Sequence, residues 1–125
     1  MTLELLAVEL AIARLEPTEK IPKWFTFSAQ PIASATKTLE ELSIVCPAAL
    51  VPAKQRAERG WRALRIAGTI GFEETGIISA LSADLAHAGI SIFVLSTFDT
   101  DYILIREADV RRAIDALSAH RVIES

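Results

Sequence analysis

The sequence is poor in the residues that carry most metal, disulfide and thiol chemistry. Its 125 residues include one cysteine and two histidines. A single cysteine cannot form an internal disulfide, which fits a reducing compartment, and we therefore expect a cytoplasmic protein. Neither histidine has a second histidine or a cysteine at metal-ligand spacing, so we expect no metal site. Cys46 lies in an apolar run, which favours a small buried residue over a nucleophile.

Recognised catalytic motifs are absent as well. No Walker loop, GxSxG or HExxH motif occurs, and the five glycines are too scattered for a dinucleotide fingerprint. Acylphosphatases share the order of helices and strands predicted below, but their chemistry uses an asparagine beside an arginine. This sequence contains no asparagine. We therefore predict that the protein is not an enzyme and carries no cofactor.

Charge and hydropathy exclude two further classes of partner. The net charge is −3 and no basic run alternates with aromatic residues, so nucleic acid is not expected. No apolar run approaches the roughly 20 residues of a membrane-spanning helix. Charged residues interrupt the richest stretch, Leu3–Leu15, which we interpret as a buried strand and not as a signal peptide. Hydrophobic residues make up 51% of the chain, and apolar surface in excess of a core predicts a homodimer.

The sequence after Gly60 follows a regular order of alternating and helical patterns. Gly89 stands where it can end the first helix in a left-handed turn. The order β-α-β-β-α-β predicts an α+β, ferredoxin-like unit over residues 61–125. The predicted elements are a strand over 61–67, a helix over 77–88, strands over 90–97 and 102–105, a helix over 110–117 and a strand over 121–124.

Residues 1–60 give weaker signals. Leu3–Leu15 predicts one long or bent strand, and Trp24–Ser28 and Leu42–Cys46 predict two more. Three prolines interrupt the segment between the first strand and Ile32, and helical signals there are weak. We interpret residues 1–60 as a degenerate copy of the unit formed by residues 61–125.

Two segments of the regular unit are expected at one end of its sheet. The loop 71–77 leads into the first helix, with Thr75 as the predicted N-cap. Free backbone N–H groups at a helix start attract an anion such as a carboxylate, and Gly76 would let a ligand approach closely. The hairpin 97–101 supplies Asp101 as an acceptor for a cationic group. Such a pocket would provide a partner for each of the two charges of a zwitterion.

Two simpler interpretations of these acidic residues stay open. Aspartates such as Asp99 and Asp101 are common in hairpin turns because they hydrogen-bond to their own backbone. Glu73 and Glu74 would complement the dipole of the helix that follows, each contributing roughly 0.3–1 kcal/mol.

The segment 71–105, GFEETGIISALSADLAHAGISIFVLSTFDTDYILI, resembles the ACT domain, in the branch that includes the CASTOR-type arginine sensors and small bacterial tandem-ACT proteins. The matching motifs are G-F-x-E-x-G-I at 71–77, L-A-x-A-x-I-S at 85–91 and S-T-F-x-x-D at 96–101. The first half is similar to the bacterial members through IPKW at 21–24 and ELSIVC at 41–46. The resemblance implies two tandem ACT-like units, the first one degenerate.

The resemblance also implies a ligand and a site. ACT domains bind amino acids or other small effectors at domain interfaces and usually pair side by side. The arginine sensors contain four ACT units and this chain can hold only two, so the other wall of a pocket would come from a second chain or be missing. By motif match, the first wall consists of Glu74, Thr75, Gly76 and Ile77, and the second of Thr97, Phe98 and Asp101.

We therefore expect a small regulatory protein that binds an amino acid or a similar effector. The alternative is an adaptor of the same fold that acts through protein contacts without a ligand. Fold resemblance alone does not decide between them.

Overall fold

The computed structural model describes residues 1–68 and 75–125 and divides the chain into two compact units. We call Val8–Trp61 the N-terminal unit, and Met1–Ala7 together with Arg62–Ser125 the C-terminal unit. The sequence-based division after Gly60 had assigned residues 1–7 to the first unit. They lie in the C-terminal unit because Leu3–Leu5 pair with Leu64–Ile66, a contact that only the folded chain creates.

The described residues form eight strands and two α-helices. The strands are β1 (Thr2–Leu5), β2 (Leu10–Leu15), β3 (Ser34–Lys37), β4 (Leu42–Pro47), β5 (Ala57–Ile66), β6 (Ile92–Ser96), β7 (Asp101–Arg106) and β8 (Val122–Glu124). The helices are α1 (Ile77–His87) and α2 (Val110–Leu117). Short 3₁₀ helices lie at Ala48–Leu50 and Glu107–Asp109.

The C-terminal unit has the predicted ferredoxin-like order. The chain runs from the end of β5 through α1, β6, β7 and α2 to β8, which confirms the β-α-β-β-α-β prediction for this half. β7 pairs with both β5 and β6. Strand β1 is an addition to this pattern: it lies between β5 and β8, antiparallel to the former and parallel to the latter.

Both helices of the C-terminal unit pack their apolar stripe on one core. α1 follows the 3.6-residue period that the sequence predicted and buries Leu81 and Leu85 completely. It ends at His87, and Gly89, two residues later, has a φ of +72° that matches the predicted left-handed turn. The core consists of Leu3, Leu64, Ile66, Leu81, Leu85, Ile90, Ile103, Ile105, Ala113 and Leu117.

The N-terminal unit has the strand order of the same fold without its helices. Its strands lie in the order β3-β4-β2-β5, and every pair is antiparallel. Numbered within the unit, this is the order 2-3-1-4 of a βαββαβ sheet. No α-helix occurs between Val8 and Trp61, all of which the structure describes. The prediction of a degenerate copy is therefore correct in topology.

A coil covers the apolar face of this sheet where a helix would otherwise lie. Phe25 is buried in the core that also contains Leu15, Ile44 and Cys46. The predicted strand Trp24–Ser28 is wrong: the segment folds into turns, closed by Phe25 N–H to Pro22 O at 3.1 Å and Ala29 N–H to Thr26 O at 3.2 Å. Its threonine and serine bond locally, Thr26 Oγ1 to Ser28 Oγ at 2.8 Å, which competes with strand pairing.

The apolar stretch Leu3–Leu15 forms β1 and β2 with a break at residues 6–9. Opposite the start of β2, strand β5 contains an irregularity, since the register shifts between Leu10 and Ile12. Gly60 adopts φ +76° there, and its N–H donates to Glu9 Oε2 at 3.0 Å. The carboxylate of Glu9 thus satisfies a donor that the shifted ladder leaves unpaired.

Arg59 stabilises the connection that replaces the second helix of the N-terminal unit. Its guanidinium donates to Val51 O at 3.2 Å, Pro52 O at 2.7 Å and Gln55 O at 3.5 Å. We expect Arg59→Met to lower the free energy of unfolding by about 1 kcal/mol, because charge-assisted bonds to these carbonyls are lost at an exposed position. Urea denaturation measures the change.

The matched control is Arg56→Met, at the residue that precedes β5. Arg56 is also exposed, and no side-chain hydrogen bond or ion pair of its guanidinium is found in the described chain. An equal loss in both variants would mean that the carbonyl contacts of Arg59 contribute nothing.

Candidate functional site

The hairpin between β6 and β7 is closed by a four-residue turn. Ser96 and Asp101 are paired across the strands, and Thr97 N–H donates to Thr100 O at 2.9 Å. The hydroxyl of Thr97 adds a bond of 3.2 Å to the same carbonyl. Asp101 is half-buried, and its Oδ1 accepts a hydrogen bond from Ser96 Oγ at 2.5 Å. Phe98 at the tip is 77% exposed.

Thr100 ties this turn to the sheet, a role that the sequence did not predict. It is the one buried polar residue in the described chain, 4% exposed, and its Oγ1 donates to Ile66 O at 2.8 Å. Ile66 is the last residue of β5. The turn is therefore held at the point where the chain leaves the sheet towards α1. The sequence pattern points to Asp99 and Asp101 in this turn and gives no signal for the threonine between them.

The start of α1 differs from its prediction. The N-cap is Gly76, with φ +81° and ψ −6°, and not Thr75, which lies outside the helix. No side chain among the described residues caps the first turn of α1. Thr75 is exposed, and Ile77 is half-buried against the core. The predicted site residue Glu74 lies outside the described residues.

Topology brings the two segments to the same edge of the C-terminal unit. In a βαβ unit the helix begins at the edge where the preceding strand ends, and the next parallel strand ends there too. The start of α1 and the turn after β6 therefore share this edge, and the bond from Thr100 to Ile66 fixes the turn there. The backbone N–H groups of the first turn of α1 thus share an edge with the carboxylate of Asp101. These are the two chemical groups that a zwitterion requires.

The cysteine and the potential metal ligands among the described residues give no second candidate site. Burial raises the pKa of the Cys46 thiol above its usual value, which disfavours the reactive thiolate. Residues 1–68 and 75–125 contain no cluster of three His, Cys, Asp or Glu side chains that could hold a metal ion. Among the same residues, no helix is long and apolar enough to cross a membrane.

Fold and site together define a ferredoxin-like α+β protein made of two βαββαβ-type units, with a candidate ligand edge on the complete one. A family model of the ACT domain matches residues 56–119, which run from the start of β5 past the end of α2. The chain belongs to the ACT domain family, and the resemblance found in the sequence is confirmed. A second family model, described as an N-terminal domain, matches residues 9–54.

Curated relatives match only part of this region. The cytosolic arginine sensor for mTORC1 subunit 1 of Homo sapiens is 40% identical over 58 residues, which are 46% of this chain and 18% of the sensor. The Bos taurus sensor gives the same figures. The chain spans less than a fifth of the length of these relatives.

Solved structures match nearly the whole chain. Protein Atu0741 of Agrobacterium tumefaciens has a TM-score of 0.89 and 37% identity, with 98% of this chain and 90% of that chain covered. Protein VC0802 of Vibrio cholerae has a TM-score of 0.76 and 22% identity, covering 94% and 88%. The aspartate kinase of Clostridium acetobutylicum has a TM-score of 0.68 and 11% identity, covering 89% of this chain and 32% of the kinase. The last two show a common fold.

The anchor of the turn is testable. Thr100→Val keeps the shape of the side chain and removes the donor to Ile66 O. We expect a loss of about 1–2 kcal/mol in the free energy of unfolding, because the bond is buried. Chemical denaturation gives the value. Thr97→Val, at an exposed position of the same turn, is the control and should cost less; a larger loss there would contradict the anchoring role of Thr100.

Proposed function

We propose that this chain is a regulatory module that binds an amino acid or a closely related small effector at the edge formed by the start of α1 and the β6–β7 turn. The observation that carries the proposal is that the first turn of α1 and the carboxylate of Asp101 lie at one edge of an ACT unit. In this proposal Gly76 and Ile77 present backbone N–H groups to the carboxylate of the effector, and Asp101 accepts from its cationic group.

The similarity to an arginine sensor supports an amino acid as the class of effector. Arginine is one candidate, since its guanidinium would suit the carboxylate of Asp101. Thr97 and the exposed ring of Phe98 lie beside Asp101 on the turn, where they would contact the aliphatic part of an effector. Glu74 belongs to the proposed site by motif match alone.

We further propose that the protein works as a cytoplasmic homodimer. The β6–β7 turn with its exposed aromatic ring and the first turn of α1 would cover a ligand from one side only. A second copy would supply the opposite wall. Closed two-fold pairing is the commonest way in which identical chains complete such a site.

A thermal-shift screen with the twenty amino acids tests the class of effector. A ligand at about 100 times its Kd adds roughly 2.7 kcal/mol to the stability of the native state. We expect one or a few amino acids to raise the Tm by several degrees. A flat response to all twenty would favour an adaptor that acts through protein contacts.

Asp101→Ala tests the geometry of the site. Loss of one partner of a buried, hydrogen-bonded charge pair costs about 2–5 kcal/mol in binding, so affinity for the effector should fall roughly 30-fold or more. Isothermal titration measures it, with circular dichroism to show that the variant folds. Asp99→Ala is the matched control, because Asp99 is exposed at the turn and lies outside the motif. Unchanged affinity in Asp101→Ala, or a larger loss in Asp99→Ala, would contradict the site.

A further inference from the structure

The N-terminal unit contains an apolar groove that no part of the proposed function uses. It has a volume of about 420 Å³ and lies between the coil after β2 and the strands β3 and β4. Its floor is formed by Ala35 and Leu42, and its walls by Ile21 and Phe27. The side chains of Ile21 and Phe27 are 45% and 66% exposed. Small-molecule sites have volumes of about 300–1,000 Å³ and are mostly apolar.

The groove exists because a coil covers the sheet less completely than a helix does. Leu42 is 4% exposed and belongs to the core under the coil, whereas Ala35 on the edge strand β3 is half-buried. Phe27 is held by its edge-to-face contact with the buried Phe25, with ring centroids 4.8 Å apart. The ring of Phe27, which forms one wall of the groove, is therefore positioned by its contact with a core residue.

Two lysines border this apolar surface. Lys37 lies two residues after Ala35 on β3, so both face the same side of the sheet. Lys20 precedes Ile21 at the opposite wall, and both lysines line the groove. Neither ammonium group has an ion pair or hydrogen bond within the described residues. The acidic residue at this site, Glu19, already accepts the backbone N–H of Glu16 at 2.7 Å.

We propose that this groove binds a small apolar carboxylate, such as a branched-chain or arylalkyl carboxylic acid. The hydrocarbon part covers Phe27, Ile21 and Leu42, and the carboxylate lies between Lys20 and Lys37. An apolar floor with unpaired positive charge at its rim is complementary to an amphipathic anion. Two lysines and one glutamate line the groove, so positive charge exceeds negative charge by one, which favours an anion over a zwitterion. This site is chemically distinct from the edge that contains Asp101.

The test uses the full chain and three probes that differ in charge. They are 4-phenylbutyrate, 4-phenylbutanamide and 4-phenylbutylamine, titrated while amide chemical shifts are followed by NMR. We expect saturable shifts at residues 19–21, 27 and 35–37 with the carboxylate, and weaker binding by the amide and the amine. In the double variant Lys20→Gln/Lys37→Gln, affinity for 4-phenylbutyrate should fall about three- to tenfold, since each exposed charge contact contributes modestly.

The matched control is Lys23→Gln/Lys54→Gln, which makes the same change in net charge with exposed lysines that do not line the groove. It should bind within about twofold of wild type. Phe27→Ala should weaken binding although both lysines remain, and Asp101→Ala should leave it unchanged.

Equal affinity for the carboxylate and the amine, equal losses in the two double variants, or no saturable shift in the groove would overturn the proposal. Shifts there that depend on protein concentration without any probe would assign the groove to a second copy instead and also overturn it.

Discussion

The requirement to cover one face of each sheet is the constraint on which this structure depends. Every second residue of the central strands is apolar, so that face must be removed from water. In the C-terminal unit α1 and α2 meet this requirement with Leu81, Leu85, Ala113 and Leu117, all fully buried. Their positions then determine where the candidate site lies, because α1 can begin only at the edge where β5 ends.

In the N-terminal unit, coil and not helix covers the apolar face of the sheet. Coil backbone forms no helical hydrogen bonds, so carbonyl groups in this unit need other partners. Arg59 donates to three of them, Gln55 Nε2 donates to Arg14 O at 2.9 Å, and Arg14 Nη2 donates to Glu40 O at 2.9 Å. Coil also covers less surface than a helix, which leaves the groove beside Phe27. A degenerate unit can therefore keep the strand order of its fold and still present an apolar groove.

The candidate site and the groove illustrate two ways of arranging charge. At the Asp101 edge a side-chain carboxylate and backbone N–H groups provide opposite signs, the arrangement on which the proposal of an amino acid effector rests. At the groove two ammonium groups border an apolar surface, which selects for an anion with a hydrocarbon part. The two sites lie on different units, so a variant in one is a control for the other.

Local pattern alone predicted much of the C-terminal unit. The spacing of Leu81 and Leu85 predicted α1, and Gly89 predicted its end. The alternation around 61–67 predicted the second part of β5. Each of these signals depends only on residues that are close in sequence. The motifs around Gly76 and Asp101 located the candidate edge for the same reason. Only the tertiary structure placed β1 beside β5 and β8, replaced the predicted strand at Trp24–Ser28 with turns, and joined the hydroxyl of Thr100 to Ile66 O. Those features rest on contacts such as the one between Thr100 and Ile66, 34 positions apart, and no local pattern encodes which distant backbone group a side chain will meet.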